Sequence, residues 1–248
     1  MEKLTLIFDL DDTLIHCNKY FRDTINQFAA QMKQWFPELT IQQIKQMQLE
    51  IDMKSIAEHG LHSSRFPESL AATYLYFSEK YNQSVEQTKV DELRRIGQGV
   101  FEIEVQPFPH MYEVLNTLRQ DGHHLFMYTG GDKANQNRKI VQLELEAYFG
   151  KRVFIYEHKN SEALRQVLQT IKADPKKTWM IGNSLKTDIR PALENGINAI
   201  HIPSPIEWSY NNVKIDIAPK GEFLTVNSLL DLPRIFKTHN SRYNENVV

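Results

Sequence analysis

Leu4-Thr5-Leu6-Ile7-Phe8-Asp9-Leu10-Asp11-Asp12-Thr13 is the stretch whose reading decides the fold. Residues 4–8 are a short apolar, β-prone run that stops at an acid, the pattern of a strand buried on both faces of a parallel sheet. Similar runs follow at residues 125–128, 153–156 and 179–181, with a weaker one at 199–202. Between them the apolar residues repeat at helical spacing. Met111, Val114, Leu115 and Leu118 do so and stop at Asp121-Gly122, a helix-ending signal. Ala163, Leu164, Val167, Leu168 and Ile171 form a second stripe, with Ser161 as the expected N-cap. Ile189, Ala192 and Leu193 mark a third, ending at Asn195-Gly196. Strands alternating with helices predict an α/β fold, a doubly wound parallel sheet with helices on both faces.

Residues 17–104 break that rhythm. Phe21, Ile25, Phe28, Met32 and Trp35 form one helical stripe, closed by Phe36-Pro37, and Leu70, Tyr74, Phe77 and Tyr81 form another. Weaker patterns cover 41–56 and 85–98. The spacing predicts an inserted all-α domain of about four helices with a small core of its own, set directly after the first strand. The organisation expected is therefore a core of residues 1–16 and 105–237, a helical insert of 17–104, and a frayed polar tail of 238–248.

Composition narrows the function classes. The chain has 248 residues, 41% hydrophobic and 24% charged, with a net charge of -2 and both signs interspersed. A binder of nucleic acid or of anionic membrane needs a concentrated basic surface, so neither partner is expected. No apolar run reaches the roughly 18 residues of a membrane span, and residues 1–10 lack the pattern of a secretory signal. The one cysteine, Cys17, cannot form an internal disulfide, and a cytoplasmic setting is expected. The nine histidines show no close pairing at zinc-ligand spacing.

Open parallel sheets place ligand sites at the carboxyl ends of their strands. Asp9 and Asp11 stand there, two residues apart, and would repel unless a cation or a shared proton relieves them. Magnesium suits a site shared by carboxylates and a phosphate. One acid could then attack phosphorus while the other moves the proton of the leaving oxygen. A solvated acidic turn accounts for the same residues, since Asp and Thr favour turns. Thr129, Gly130 and Gly131 end the second strand, where a hydroxyl and exposed amides suit an anion or a plain turn. Lys159 follows the third strand, fit either to spread developing negative charge or to lie in solvent. Asn183, Ser184 and Asp188 follow the fourth, able to complete a magnesium shell or to cap the next helix. An acid, a hydroxyl, a lysine and an acid at four successive strand ends carry more weight together than any one alone.

These residues resemble the phosphatase branch of the haloacid dehalogenase (HAD) superfamily over residues 3–202. The resemblance rests on Asp9-x-Asp11-x-Thr13, Thr129, Lys159, and Gly182-Asn183-Ser184 with Asp188. It implies a Rossmann-like core, with Asp9 as a nucleophile that becomes phosphorylated and Asp11 as general acid and then base. It further implies that Thr129, Gly130 and Lys159 grip the phosphoryl group, and that magnesium is held by Asp9, the Asp11 carbonyl and residues among Asn183 and Asp188. Dehalogenases of the superfamily lack the second acid, so Asp11 implies a phosphate-ester substrate. The insert looks like the family's cap, which excludes water and selects substrate. Asn183 departs from the family's usual aspartate. An amide oxygen brings no charge, which implies a weaker hold on magnesium.

Along the route into the insert, His16, Asn18 and Tyr20 are candidates for lining a substrate pocket, as are His62 and Arg65 between its helices. The substrate expected is a small phosphorylated metabolite. A phosphomutase shares every core motif, and a non-catalytic module that binds phosphorylated ligands is the remaining alternative.

Overall fold

The computed structural model describes residues 2–245. Alternation along the first strand, β1 (Thr5–Phe8), sets up both faces of the sheet. Leu4, Leu6 and Phe8 enter one buried cluster and Ile7 enters another on the opposite face, as the two-residue period of a strand requires. The chain then leaves for α1 (Asn18–Trp35), α2 (Ile41–His59), α3 (Arg65–Lys80) and α4 (Gln87–Gly99). It returns through α5 (Met111–Gln120), β2 (His124–Gly130), α6 (Lys133–Gln142), the single turn α7 (Glu146–Phe149) and β3 (Val153–Tyr156). α8 (Ser161–Thr170), β4 (Thr178–Gly182), α9 (Arg190–Glu194), β5 (Asn198–His201), β6 (Phe223–Thr225) and α10 (Asp231–Glu245) complete it.

All six strands are parallel, in the order β3-β2-β1-β4-β5-β6. α5 and α10 pack on one face through Val114, Leu115, Leu118, Leu232 and Phe236. α8 and α9 cover the other through Leu164, Val167, Ala192 and Leu193. This is the doubly wound α/β fold that the sequence predicts. Three details differ. β6 adds a sixth strand that the sequence hides, because three residues, none fully buried, carry too little pattern. Asn160, not Ser161, caps α8: its side chain accepts the Ala163 amide at 3.0 Å, and Ser161 is the first helical residue. Helix continues to Glu245, through most of the segment expected to fray, while residues 246–248 lie outside the described residues.

The four inserted helices bury their own cluster, built on Phe28, Met32, Phe36, Ile44, Leu70, Tyr74, Phe77, Val90 and Leu93. Thr40 and Gln43 form a reciprocal capping box at the start of α2, worth about 1 kcal/mol. Gly97 lets α4 approach α3, since a Cβ there would lie 2.6 Å from the Pro67 Cα. The two chain crossings between insert and core lie side by side: His16 N–H donates to Gln106 O at 2.9 Å, and Phe108 N–H to Leu14 O at 2.8 Å. Among the described residues no helix is long and apolar enough to cross a membrane.

Asp52 of α2 is buried in this insert beside Ser69, and burial pushes its carboxyl up to about 6. The folded state thus binds a proton that the unfolded chain releases near pH 4, and stability falls as pH rises from about 4 through 6. Asp52→Asn removes the cost of burying the charge. It is expected to raise the melting temperature by several degrees at pH 7.5, with the gain shrinking below pH 6, as thermal denaturation across that range will show.

Candidate active site

The loop after β1 is built by its own hydrogen bonds. Asp9 N–H continues the sheet by donating to Ile181 O at 2.9 Å. Asp12 adopts a left-handed conformation (φ 57°) that reverses the chain, and Leu14 N–H closes back on Leu10 O at 2.9 Å. The reversal returns Thr13 to the strand end, where its hydroxyl donates to Asp9 Oδ2 at 2.8 Å and accepts from Asn183 N–H at 3.0 Å. One hydroxyl thereby fixes the Asp9 carboxylate and ties the ends of β1 and β4 together. Asp12 serves structure: its carboxylate accepts the Cys17 and Asn18 amides at the start of α1.

Lys159, 6% exposed, lies between two acids. Its Nζ is 2.5 Å from Asp9 Oδ1 and 2.5 Å from Asp188 Oδ1. The other Asp188 oxygen accepts from Ser184 N–H at 2.9 Å, and Ser184 Oγ accepts from Thr187 N–H at 3.0 Å. Ser184 therefore caps the turn of π-helix at 185–189 that carries Asp188, a geometry frequent at functional sites. Burial pushes Asp9 up to about 7; Lys159 pulls it down, while Asp188 and Asp11 push it further up. Burial also acts against the charge on Lys159, yet Asp188 and Asp9 outweigh it and hold the ammonium protonated.

Asp11 turns elsewhere. Its two oxygens accept from Lys139 Nζ at 2.8 and 2.9 Å, and Oδ2 also accepts from Gln136 Nε2 at 2.9 Å. Burial alone would raise this carboxyl, but Lys139 and Gln136 hold it below the ordinary range. Thr129 is fully buried, and its hydroxyl accepts from the same Gln136 nitrogen at 2.6 Å. Gly130 is roofed by the insert: a Cβ there would lie 2.8 Å from Leu61 Cδ1. The Gly131 amide, which the sequence offers to an anion, is spent on Tyr156 O at 3.0 Å. Gln136 and Lys139 escape sequence reading because α6 has little apolar periodicity. Their one signal is a three-residue spacing that puts both on one helix face.

The sequence places Asp9, Asp11, Thr129, Gly130, Lys159, Asn183 and Asp188 at strand ends, and the fold brings these ends together. The donors suit a hard divalent cation. With all three ionised, Asp9, Asp11 and Asp188 oppose the two ammonium groups paired with them, Lys139 and Lys159, which leaves one negative charge over. Asn183 is 3% exposed and its Nδ2 has no partner, while its Oδ1 is 3.4 Å from Thr13 Oγ1. Exchanging the two amide ends lets the nitrogen donate to Thr13 and leaves the oxygen free for a cation. No set of three His, Cys, Asp or Glu stands ready for a metal among the described residues, so a cation here would need amide and main-chain oxygens in addition to the Asp9 and Asp188 carboxylates.

The residues expected to choose substrate divide. Asn18 Nδ2 donates to Ile206 O at 2.8 Å, the Tyr20 hydroxyl accepts from Gln106 N–H at 3.0 Å, and the His16 ring lies tilted at 45° against Phe108 with centroids 4.1 Å apart. These three brace the crossing into the insert. His62 lines a cavity of about 570 Å³ with Asp132, Lys133, Glu157 and His158. Arg65 holds a buried Nε without a partner. The 61–63 loop is docked on the core: Leu61 N–H donates to Glu157 O at 2.8 Å and Ser63 N–H to Asp132 Oδ2 at 3.0 Å.

Known structures share this fold. A haloacid dehalogenase-like hydrolase from Xanthomonas campestris superposes with a TM-score of 0.81 at 22% identity, over 98% of this chain and 94% of that one. A HAD-hydrolase from Bacillus subtilis, bound to magnesium, superposes at 0.62 with 18% identity, over 95% and 99%. Further structures of the same fold are described as 2-haloacid dehalogenases and as a HAD phosphatase. Glyceraldehyde 3-phosphate phosphatase of Methanothermobacter thermautotrophicus is 26% identical over 106 residues, 41% of this chain and 47% of that protein, so the match spans about half of the relative's length. The sequence pattern of the haloacid dehalogenase-like hydrolases matches residues 4–196. With that match over most of its length and the sheet, strand ends and buried acids described above, the chain belongs to the haloacid dehalogenase-like hydrolases.

Proposed function

We propose that this hydrolase is a magnesium-dependent phosphatase that cleaves a small phosphate monoester through a phosphorylated Asp9. The observation that carries the reading is the pair of acids on one loop with different settings: Asp9 fixed by Thr13 and Lys159, and Asp11 held apart by Lys139 and Gln136. A nucleophile and a separate proton carrier are what ester cleavage needs, because an alkoxide is a poor leaving group until protonated. The second acid favours a phosphate ester over a halogenated acid, whose halide leaves without a proton.

In this reading Asp9 attacks phosphorus as the bond to the ester oxygen breaks, and Asp11, ionised beside Lys139, takes up a proton as the anionic ester binds next to it and gives that proton to the leaving oxygen. Asp11 then takes a proton from the water that displaces phosphate from Asp9. The Thr129 hydroxyl and the Lys159 ammonium hold phosphoryl oxygens throughout. Asp9, the Asp11 main-chain carbonyl, Asn183 and Asp188 would hold magnesium, which when bound neutralises carboxylate and phosphoryl charge. The loop at 61–63, over the strand ends, would keep bulk water away from the phosphorylated acid.

Three measurements test this reading. Purified protein is expected to release inorganic phosphate from p-nitrophenyl phosphate only with magnesium, and Asp9→Asn to lower that rate by at least about 10³-fold with the fold intact. Persistent activity in Asp9→Asn would remove the mechanism. Asn183→Asp adds a charge at the cation site and is expected to lower the magnesium concentration for half-maximal activity several-fold; an unchanged value would reject the role given to Asn183. Gly182 is the third. A Cβ there would fall on the Asp188 carboxylate. Gly182→Ala is expected to cost about 1–3 kcal/mol of stability and more than tenfold in kcat, with denaturant melts and steady-state kinetics as the readouts.

A further inference from the structure

α6 is a polar helix with three buried residues, Gln136, Lys139 and Ile140. Two of the three are polar, which is costly unless their groups are satisfied. Lys139, 5% exposed, meets both oxygens of Asp11. Gln136, 1% exposed, donates from one nitrogen to Asp11 Oδ2 and to Thr129 Oγ1. An amide nitrogen carries two protons, so both bonds form at once. A hydroxyl that accepts from Gln136 keeps its own proton for another acceptor, and at Thr129 that acceptor can be a phosphoryl oxygen.

We propose that Gln136 and Lys139 are positioning residues of the phosphatase reaction, a clasp on α6 that sets the pose of two working groups together. Lys139 fixes the Asp11 carboxylate in the orientation from which it serves the leaving-group oxygen. Gln136 links that carboxylate to Thr129 and points the threonine proton at the phosphoryl group. Neither residue touches reacting atoms; each acts through its partner. The inference rests on the phosphatase reading of this same site and adds to it the residues that govern the proton transfer. A merely structural role, pinning α6 to the loop after β1, would use the same contacts, and kinetics separate the two.

The test compares kcat/KM of the full chain, with magnesium, for p-nitrophenyl phosphate and for an unactivated alkyl phosphate. kcat/KM covers the steps through transfer of phosphoryl to Asp9. Nitrophenolate leaves without a proton, whereas an alkoxide needs one. Lys139→Met and Gln136→Leu are expected to lower kcat/KM for the alkyl ester about 10- to 100-fold and for the aryl ester much less, so that the ratio shifts about tenfold. Lys139→Arg keeps the charge and is expected to restore part of the ratio. Gln136→Leu should also raise KM for both esters, because Thr129 loses its orientation, whereas Lys139→Met should act mainly on kcat. Equal loss on both esters, or an unchanged ratio in variants that melt like the wild type, overturns the proposal. Should Lys139→Met fail to fold, the Lys139→Arg and Gln136→Leu ratios decide it alone. Wild-type protein that cleaves neither ester rejects the phosphatase reading itself, and the clasp with it, an outcome distinct from active wild type with unshifted ratios.

Discussion

The site depends on one buried ammonium shared by two carboxylates. Asp9 and Asp188 reach the same point from the ends of neighbouring strands, and in a place closed to water their repulsion would be severe. Lys159 arrives from the end of β3, the edge strand, and satisfies both. The strand order makes the meeting possible. β1 lies between β2 and β4, with β3 one strand further out, so four strand ends converge within about 10–15 Å at the usual strand spacing. Thr13 and Ser184 then fix each acid from the side the lysine leaves open. The result is a pocket already balanced close to neutrality, able to admit a doubly charged anion together with a cation.

How much of this the sequence discloses follows from how each signal arises. β1, β4 and β5 are legible because strands buried on both faces must be apolar throughout, β2 and the half-buried edge strand β3 because their runs are apolar and β-prone, and the four inserted helices because each buries a stripe. The acids, Thr129, Lys159 and Asn183 are legible because a parallel sheet fixes the address of its site before any contact is known. β6 is too short to carry a pattern, and Asn160 takes the cap from Ser161 because an amide oxygen one residue earlier reaches the same amide. Gln136 and Lys139 are illegible for a different reason. They are polar residues buried by virtue of their partners, and those partners lie 125 and 128 residues away at Asp11.

The candidates near the insert show what address alone leaves open. His16, Asn18 and Tyr20 sit where a substrate pocket would open, and address alone recommends them. The His16 ring lies tilted against Phe108, and the polar ends of Asn18 and Tyr20 are bonded to Ile206 and Gln106. Position along the chain names a neighbourhood, and only the partner of each side chain says what it does there. His62 and Arg65 keep groups facing the cavity or lacking a partner.

The adjacent crossings at Leu14–Phe108 and His16–Gln106 bear on how the chain is assembled during synthesis. β1 leaves the ribosome before the strands it pairs with, and those come late: Thr5 pairs with His124 of β2, 119 residues on. Closing so long a loop of free chain carries an entropic cost, one that rises only slowly with length but precedes any sheet contact. An insert that has already collapsed on its own aromatic core brings its two ends side by side and removes most of that loop. The same segment that roofs the finished pocket can thus act earlier as an internal splint, holding the first strand ready for neighbours not yet made.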